Sequence, residues 1–348
     1  MAFYILYYIS IFIMLMISYI NKKFKFFLFI VILLTIFISG FRYNVGYDYG
    51  MYRNYFLGLD NRVGIEPLFQ LSTFIFQQFF SEPQILFFFY SFFTIFILWY
   101  TIKKFTIYIR TSFLLYLLIP GLYINTFSII RQGLSESIMF LATYHYINNR
   151  NYYFIFLSLI AGLFHYAAFF VAFILLILKY FLFRNYKIWV YISFIIISLI
   201  LYQLNFAQLL LSFLVERYSQ YLELDDKVPL LKVFIVNFFI LFIVYMKDRI
   251  IKNEQDLVML NLFVVGNIII NLFADFLPIA RLSYYFIIFQ ILIVPNLIYS
   301  FKSNYVKIGM LLLFLLYFFL MLLNALFNDI NTTNDFKLIP YNNYFFKD

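Results

Sequence analysis

YYFIFLSLIAGLFHYAAFFVAFILLIL, residues 152–178, decides the fold class. The run contains no Asp, Glu, Lys or Arg. A hydrocarbon core takes about 20 helical residues to cross, so a run of this length belongs in a bilayer. Its flanks argue against a single crossing. Asn149-Arg150 precede it, and Lys179, Arg184 and Lys187 follow it. Basic residues favour the cytoplasmic side, and here both ends ask for that side. Gly162-Leu163-Phe164-His165 interrupt the run near its middle. The reading that satisfies both flanks is a pair of half-helices meeting near His165, a known way to place polar groups inside a membrane.

The rest of the 348 residues agrees. The chain is 65% hydrophobic and 12% charged, where a soluble domain carries about 25% charged residues. Mean hydropathy is +0.92. No soluble core hides that much apolar surface, so the sequence predicts an all-α fold, a polytopic inner-membrane bundle of about ten to twelve transmembrane or re-entrant helices. The net charge of +9 sits mostly as Lys in short linkers. That is positive-inside bias, and no nucleic-acid partner is expected. With no Cys and two His, neither a disulfide scaffold nor a thiolate or His-rich metal centre is expected. No cofactor is implied. The first apolar run, Ala2 to Ile20, lacks a basic leader and a small-residue cleavage site, so it reads as a retained helix.

Spans are expected at 2–20, 26–41, 84–101, 111–127, 133–147, 188–203, 229–246, 256–273, 282–299 and 308–323. The run 68–80 is only about 20 Å long as a helix and reads as interfacial or re-entrant. Residues 1–323 form a single bundle in this reading, with outer loops near 42–83 and 204–228 and a short amphipathic helix at 206–218. Residues 324–348 form a polar, external tail. No internal repeat marks duplicated transporter halves.

The resulting topology puts Arg42, Asp48, Arg53, Glu66, Arg131 and Arg281 at the outer face, with His165 at depth within reach. An arginine at a helix centre costs roughly 2.5–3.5 kcal/mol on insertion scales, so its presence asks for a reason. A guanidinium fork suits phosphate or carboxylate oxygens. An anion reaching this depth carries a lipid tail, and a prenyl diphosphate glycolipid fits. Tyr43, Tyr47, Tyr49 and Tyr52 read equally as a sugar-stacking surface or as an aromatic belt. Arg53 and Arg62 read as loop surface and His145 as structural. Asp48 orients an arginine or acts on an acceptor hydroxyl. A carboxylate beside several arginines is a weak base, which favours His165 as proton acceptor.

An ordered set of short pieces resembles the EpsG family, a branch of the Wzy-type polysaccharide polymerases. They are Phe41-Arg42-Tyr43-Asn44-Val45-Gly46-Tyr47-Asp48-Tyr49 with Tyr52, Glu66-Pro67-Leu68-Phe69, Phe127-Ser128-Ile129-Ile130-Arg131-Gln132-Gly133-Leu134-Ser135, Phe164-His165-Tyr166-Ala167-Ala168, Arg281-Leu282-Ser283-Tyr284-Tyr285-Phe286 and Ile339-Pro340-Tyr341. Tyr47, and Tyr166-Ala167-Ala168 after the His, depart from the family pattern, and neither departure removes a charge. The resemblance implies a GT-C-like membrane glycosyltransferase of bacterial capsule, exopolysaccharide or O-antigen assembly. It would join undecaprenyl-pyrophosphate-linked oligosaccharides at the outer face of the cytoplasmic membrane, with undecaprenyl pyrophosphate leaving. Arg131, His165, Asp48 and Glu66 would be catalytic. Arg42, Arg281, Gln132, Tyr43, Tyr49, Tyr52 and Tyr284 would bind substrate, without a metal. Implied partners are the lipid-linked donor and acceptor, membrane lipids, and flippase and chain-length regulator proteins. Two rival functions keep the same cations: a flippase or exporter of the lipid-linked sugar, and a membrane O-acyltransferase built around His165. The flippase predicts charges along a path through the bilayer, and the inner-side runs 84–99 and 308–323 are bare of them.

Overall fold

A chain in hydrocarbon must satisfy its backbone N–H and C=O groups internally, and helices do this within one segment. The computed structural model describes residues 1–20, 26–60, 64–209, 230–332 and 334–346. Among them every long element is a helix. Five are long and apolar enough to cross a membrane: Ala2–Tyr19, Gln84–Phe105, Glu254–Leu272, Pro278–Ser300 and Asn304–Ile330. Shorter apolar helices accompany them, as in a multi-pass membrane protein.

The chain divides into two compact units, one of residues 1–172 with 303–348, the other of residues 173–302. The first unit holds α1 (Ala2–Ile20), α2 (Phe26–Gly40), α3 (Tyr49–Phe56), α4 (Pro67–Phe79), α5 (Gln84–Phe105), α6 (Ile109–Leu118), α7 (Ile130–Ile147) and α8 (Asn151–Phe164). Helix α9 (Ala167–Ile177) carries the chain onward. Helix α7 is the centre of this unit, packing on α8 and α5, while α5 also packs on α2. Lys103 and Lys104 occupy the last turn of α5, where cations favour the helix dipole.

The expected break is present, with α8 and α9 as separate helices and His165 extended between them (φ −157°, ψ 116°). Gly162 makes the close turn possible, because a β-carbon there would run into the Phe169 ring. The expected 111–127 span is shorter. Helix α6 stops at Leu118, Ile119 is extended, and a 3-10 turn at Ile124–Phe127 follows. Pro120 accounts for the stop, since the residue before proline is pushed out of the helical region.

The second unit holds α10 (Lys179–Leu182), α11 (Ile188–Gln203), α12 (Leu230–Tyr245), α13 (Lys247–Ile250), α14 (Glu254–Leu272), α15 (Leu277–Ala280), α16 (Tyr284–Ile287) and α17 (Gln290–Ser300). The expected 282–299 span lies within the apolar helical stretch Pro278–Ser300, which includes a 3-10 turn at Arg281–Ser283. Buried amides join the longer helices. Asn237 and Asn271 exchange hydrogen bonds of 2.9 Å in both directions, and Asn271 also donates to Ser198 Oγ at 2.9 Å. Such polar contacts hold membrane helices where no hydrophobic gradient drives them together. Of the expected amphipathic helix, residues 206–209 are helical, and 210–229 lie outside the described residues.

Helix α18 (Asn304–Ile330) returns the chain to the first unit. It runs past the expected end at 323, and the chain after it folds back onto residues 41–50. The Asp329 carboxylate accepts from Tyr47 Oη at 2.7 Å and from the Leu338 and Ile339 amides at 3.0 and 2.9 Å. The Tyr43 amide donates to Asn342 and the Tyr344 amide to Phe41, at 2.9 and 2.7 Å. Gly46 is held at φ +108° against the Phe127 carbonyl, where any β-carbon would collide.

Candidate functional site

Pro67 opens α4, a position suited to proline because its missing N–H has no helical partner anyway. The residue before it, Glu66, therefore leaves the helix axis with an extended backbone (ψ 142°). Gln70 Nε2 fastens this corner by donating to the Ile65 carbonyl at 2.7 Å. The corner aims the Glu66 side chain inward, to 4% exposure.

There the carboxylate meets two groups from distant parts of the chain. One oxygen accepts from Arg131 in the first turn of α7. The other accepts from His165 Nδ1 at the α8–α9 break, at 2.7 Å. Sixty-five and ninety-nine residues of sequence separate Glu66 from these partners. Ser135 helps hold the break in place, donating from α7 to the Ala161 carbonyl at 2.9 Å.

Aromatic rings form the wall. The Arg131 guanidinium carbon lies 5.6 Å from the Tyr52 ring centroid and 5.3 Å from that of Phe69. Both rings are buried, so the cation–π attraction acts with little competing water. Tyr90 from α5 packs edge-on against Phe164, just before His165. Arg131 Nε is buried and has no hydrogen-bond partner. The side chains of Arg131 and His165 remain 20% and 27% exposed, whereas the carboxylate between them is covered. No side chain caps the N-terminus of α7, whose dipole adds positive potential beside Arg131.

Burial by itself raises the Glu66 carboxyl, but the His165 hydrogen bond and the Arg131 charge outweigh it and hold the group below the ordinary glutamate value of 4.5. The sign for stability follows. A depressed acid stabilises the fold above the unfolded value and loses that contribution as pH falls through the folded one. Thermal unfolding in detergent should therefore show a gap between wild type and Glu66→Gln at neutral pH. The gap should close as pH falls below 4.5; a constant gap would mean the ion pairs add nothing.

The remaining candidates occupy other places. Arg42 is 0% exposed. Its Nε donates to the Val45 carbonyl at 3.1 Å, NH2 to Phe127 at 2.9 Å and NH1 to Ser39, with the Phe87 and Phe127 rings beside it. Three carbonyls, one of them near the end of α2, use donors that a phosphate would need. Tyr49 is buried and stacks on Phe87 at 4.3 Å. Tyr43 lies partly exposed with its ring edge to Tyr49 and Tyr344. Asp48 is the residue before α3, four positions from Tyr52, whose amide bonds its carbonyl at 3.1 Å. Gln132 is buried and donates to Glu136, one turn on, at 2.9 Å. Arg281 and Tyr284 belong to the second unit and are partly exposed. Among the described residues no three His, Asp or Glu side chains gather as a metal site would need.

Phe69 is the wall residue that the sequence reading passed over. Phe69 and Thr73, one turn apart, are the buried side chains of α4. That stripe begins at the same turn as Glu66 and shows which face of the short helix is inward.

No curated protein and no solved structure matches the chain. The EpsG family matches residues 25–343, a span that includes Arg42, Glu66, Arg131, His165 and Arg281. With nearly its whole length matched, and its charged groups set in a bundle of apolar helices, the chain is a membrane-embedded protein that belongs to the EpsG family.

Proposed function

We propose that this protein is a Wzy-type polysaccharide polymerase that joins lipid-linked oligosaccharide repeats at the outer face of the cytoplasmic membrane. The observation that carries the reading is the Glu66 carboxylate shared between Arg131 and His165. It sets a guanidinium and an imidazole side by side, both partly open, at an aromatic-walled corner, which suits an anion ligand beside a proton acceptor. The donor glycan is carried on undecaprenyl diphosphate. A hydroxyl of the acceptor repeat attacks the donor's anomeric carbon. The new C–O bond forms as the bond to the diphosphate breaks, the electron pair leaves with the phosphate oxygen, and the hydroxyl proton passes to His165.

Each group has one task. Arg131 meets the charge that grows on the leaving diphosphate, supported by the α7 dipole. With its Nδ1–H given to Glu66, the His165 ring keeps Nε2 as the proton acceptor. Arg42 ties the backbone at Ser39 and Val45 to Phe127 and is a framework group. Of the tyrosines, Tyr43 presents an accessible ring to sugar, while Tyr49 and Tyr52 build the wall. The outer loops supply glycan recognition.

The test is replacement of Arg131 by Ala and by Lys, with lipid-linked intermediates extracted from the cell envelope. Removing one transition-state donor costs about 10²–10³ in rate. Arg131→Ala should accumulate single repeat units and lose long chains while the protein still inserts. Lys should recover only part of the activity, having no fork. Normal chain lengths from Arg131→Ala would end this reading. Transport of the lipid-linked sugar by a variant that does not elongate it would favour an exporter.

A further inference from the structure

The ion-pair corner contains a conflict. A diphosphate is to bind Arg131, yet Arg131 is already neutralised by Glu66. With His165 uncharged, Glu66 and Arg131 cancel, and an arriving anion finds no net positive charge to draw it in. Moreover, the carboxylate takes the guanidinium donor that a phosphate oxygen would use.

The surroundings show how the conflict resolves. The Glu66 backbone is fixed by the first turn of α4 and by the Gln70 clamp, so the carboxylate cannot leave the corner. It has two partners, and only one of them is wanted by an anion. Arg131 has further donors, with Nε unpartnered and NH1 on Glu66. The guanidinium itself is steadied by the Tyr52 and Phe69 rings, which do not depend on Glu66. Losing the Glu66 contact therefore leaves Arg131 in place.

We infer that Glu66 is a positioning latch, exchanged from Arg131 to His165 when a diphosphate binds. The inference rests on the proposed reading of Arg131 as diphosphate ligand. In the resting corner the carboxylate divides its charge between guanidinium and imidazole. When phosphate oxygens take over Arg131, the whole carboxylate acts on His165 Nδ1–H and makes Nε2 a better base. The proton acceptor is then oriented by the full carboxylate when a leaving group is seated. By reciprocity, whatever strengthens the Glu66–His165 contact also favours the anion on Arg131.

The test uses the purified full chain in nanodiscs and farnesyl diphosphate as probe. Because Glu66 competes for Arg131, Glu66→Gln should bind the probe tighter, by roughly five- to tenfold, yet elongate repeats far more slowly in cells. A merely structural role for Glu66 would weaken both. A second measurement needs no variant at Glu66. The chain has two histidines, His145 and His165, so His145→Gln assigns the ring ¹⁵N signals of His165. Farnesyl diphosphate should shift the His165 Nδ1 signal toward a stronger hydrogen bond. Equal or weaker probe binding by a folded Glu66→Gln, or a His165 ring signal that ignores bound probe, overturns the latch and leaves the polymerase reading standing. Failure of wild type to bind, or binding unchanged in Arg131→Ala, overturns both.

Discussion

Replacing His165 by Gln is expected to reduce elongation by about 10²–10⁴, the usual contribution of a placed acid or base, and to leave the amount of membrane-inserted protein unchanged. Gln is similar in length and keeps a side-chain donor for the Glu66 carboxylate. It has no nitrogen that accepts a proton. The α8–α9 break does not depend on the ring, because it is set by the extended backbone at residue 165, the Ala161 carbonyl that accepts the 165 amide at 2.9 Å, and Ser135. Chain length per unit of inserted protein is the measurement. Polymer lengths like those of wild type would remove His165 from the chemistry. Loss of the protein itself would recast the residue as a structural bridge between half-helices.

Arg42→Met is expected to remove the folded protein rather than slow the reaction. Met fills much of the volume but donates nothing. The Ser39, Val45 and Phe127 carbonyls then stay in a dry interior without partners. Each such group costs about 1–3 kcal/mol, and the sum is comparable to a whole domain's stability of about 5–15 kcal/mol. Arg42→Lys is little better, because a single ammonium cannot fan out to three carbonyls in different directions. The readout is the yield of monodisperse protein in mild detergent, together with protease sensitivity of residues 41–50. Arg131→Ala, by contrast, should keep its yield. Normal yield with lost polymer from Arg42→Met would return Arg42 to the role of substrate ligand.

These two arginines show where reading the chain reaches its limit. Both are guanidiniums at the edge of an apolar run, and both carry the same cost of entering hydrocarbon. Linear sequence cannot say whether a buried cation is matched by backbone carbonyls or left facing a site. That depends on which groups the fold brings within 3 Å. Ser39 and Val45 are neighbours of Arg42 in the chain, but Phe127 is 85 residues away. Likewise, the polar composition after residue 323 suggests an external tail but gives no sign that Asp329 and backbone amides tie it to the loop around Gly46.

Hydrophobic content and the run at 152–178 were enough to determine a helical membrane bundle, because a bilayer leaves the backbone few ways to satisfy itself. The same run, with Gly162 and His165 at its centre, made the break between α8 and α9 legible. Helix ends were less legible wherever a proline or a returning segment intervened, as at Pro120 and beyond Leu323. Tertiary structure alone decided that Glu66 joins Arg131 to His165, that Phe69 backs them and that Arg42 is enclosed. Charge pairing and burial act through distance in space, and three residues spread over a hundred positions become one site only after α4, α7 and the α8–α9 break have packed together.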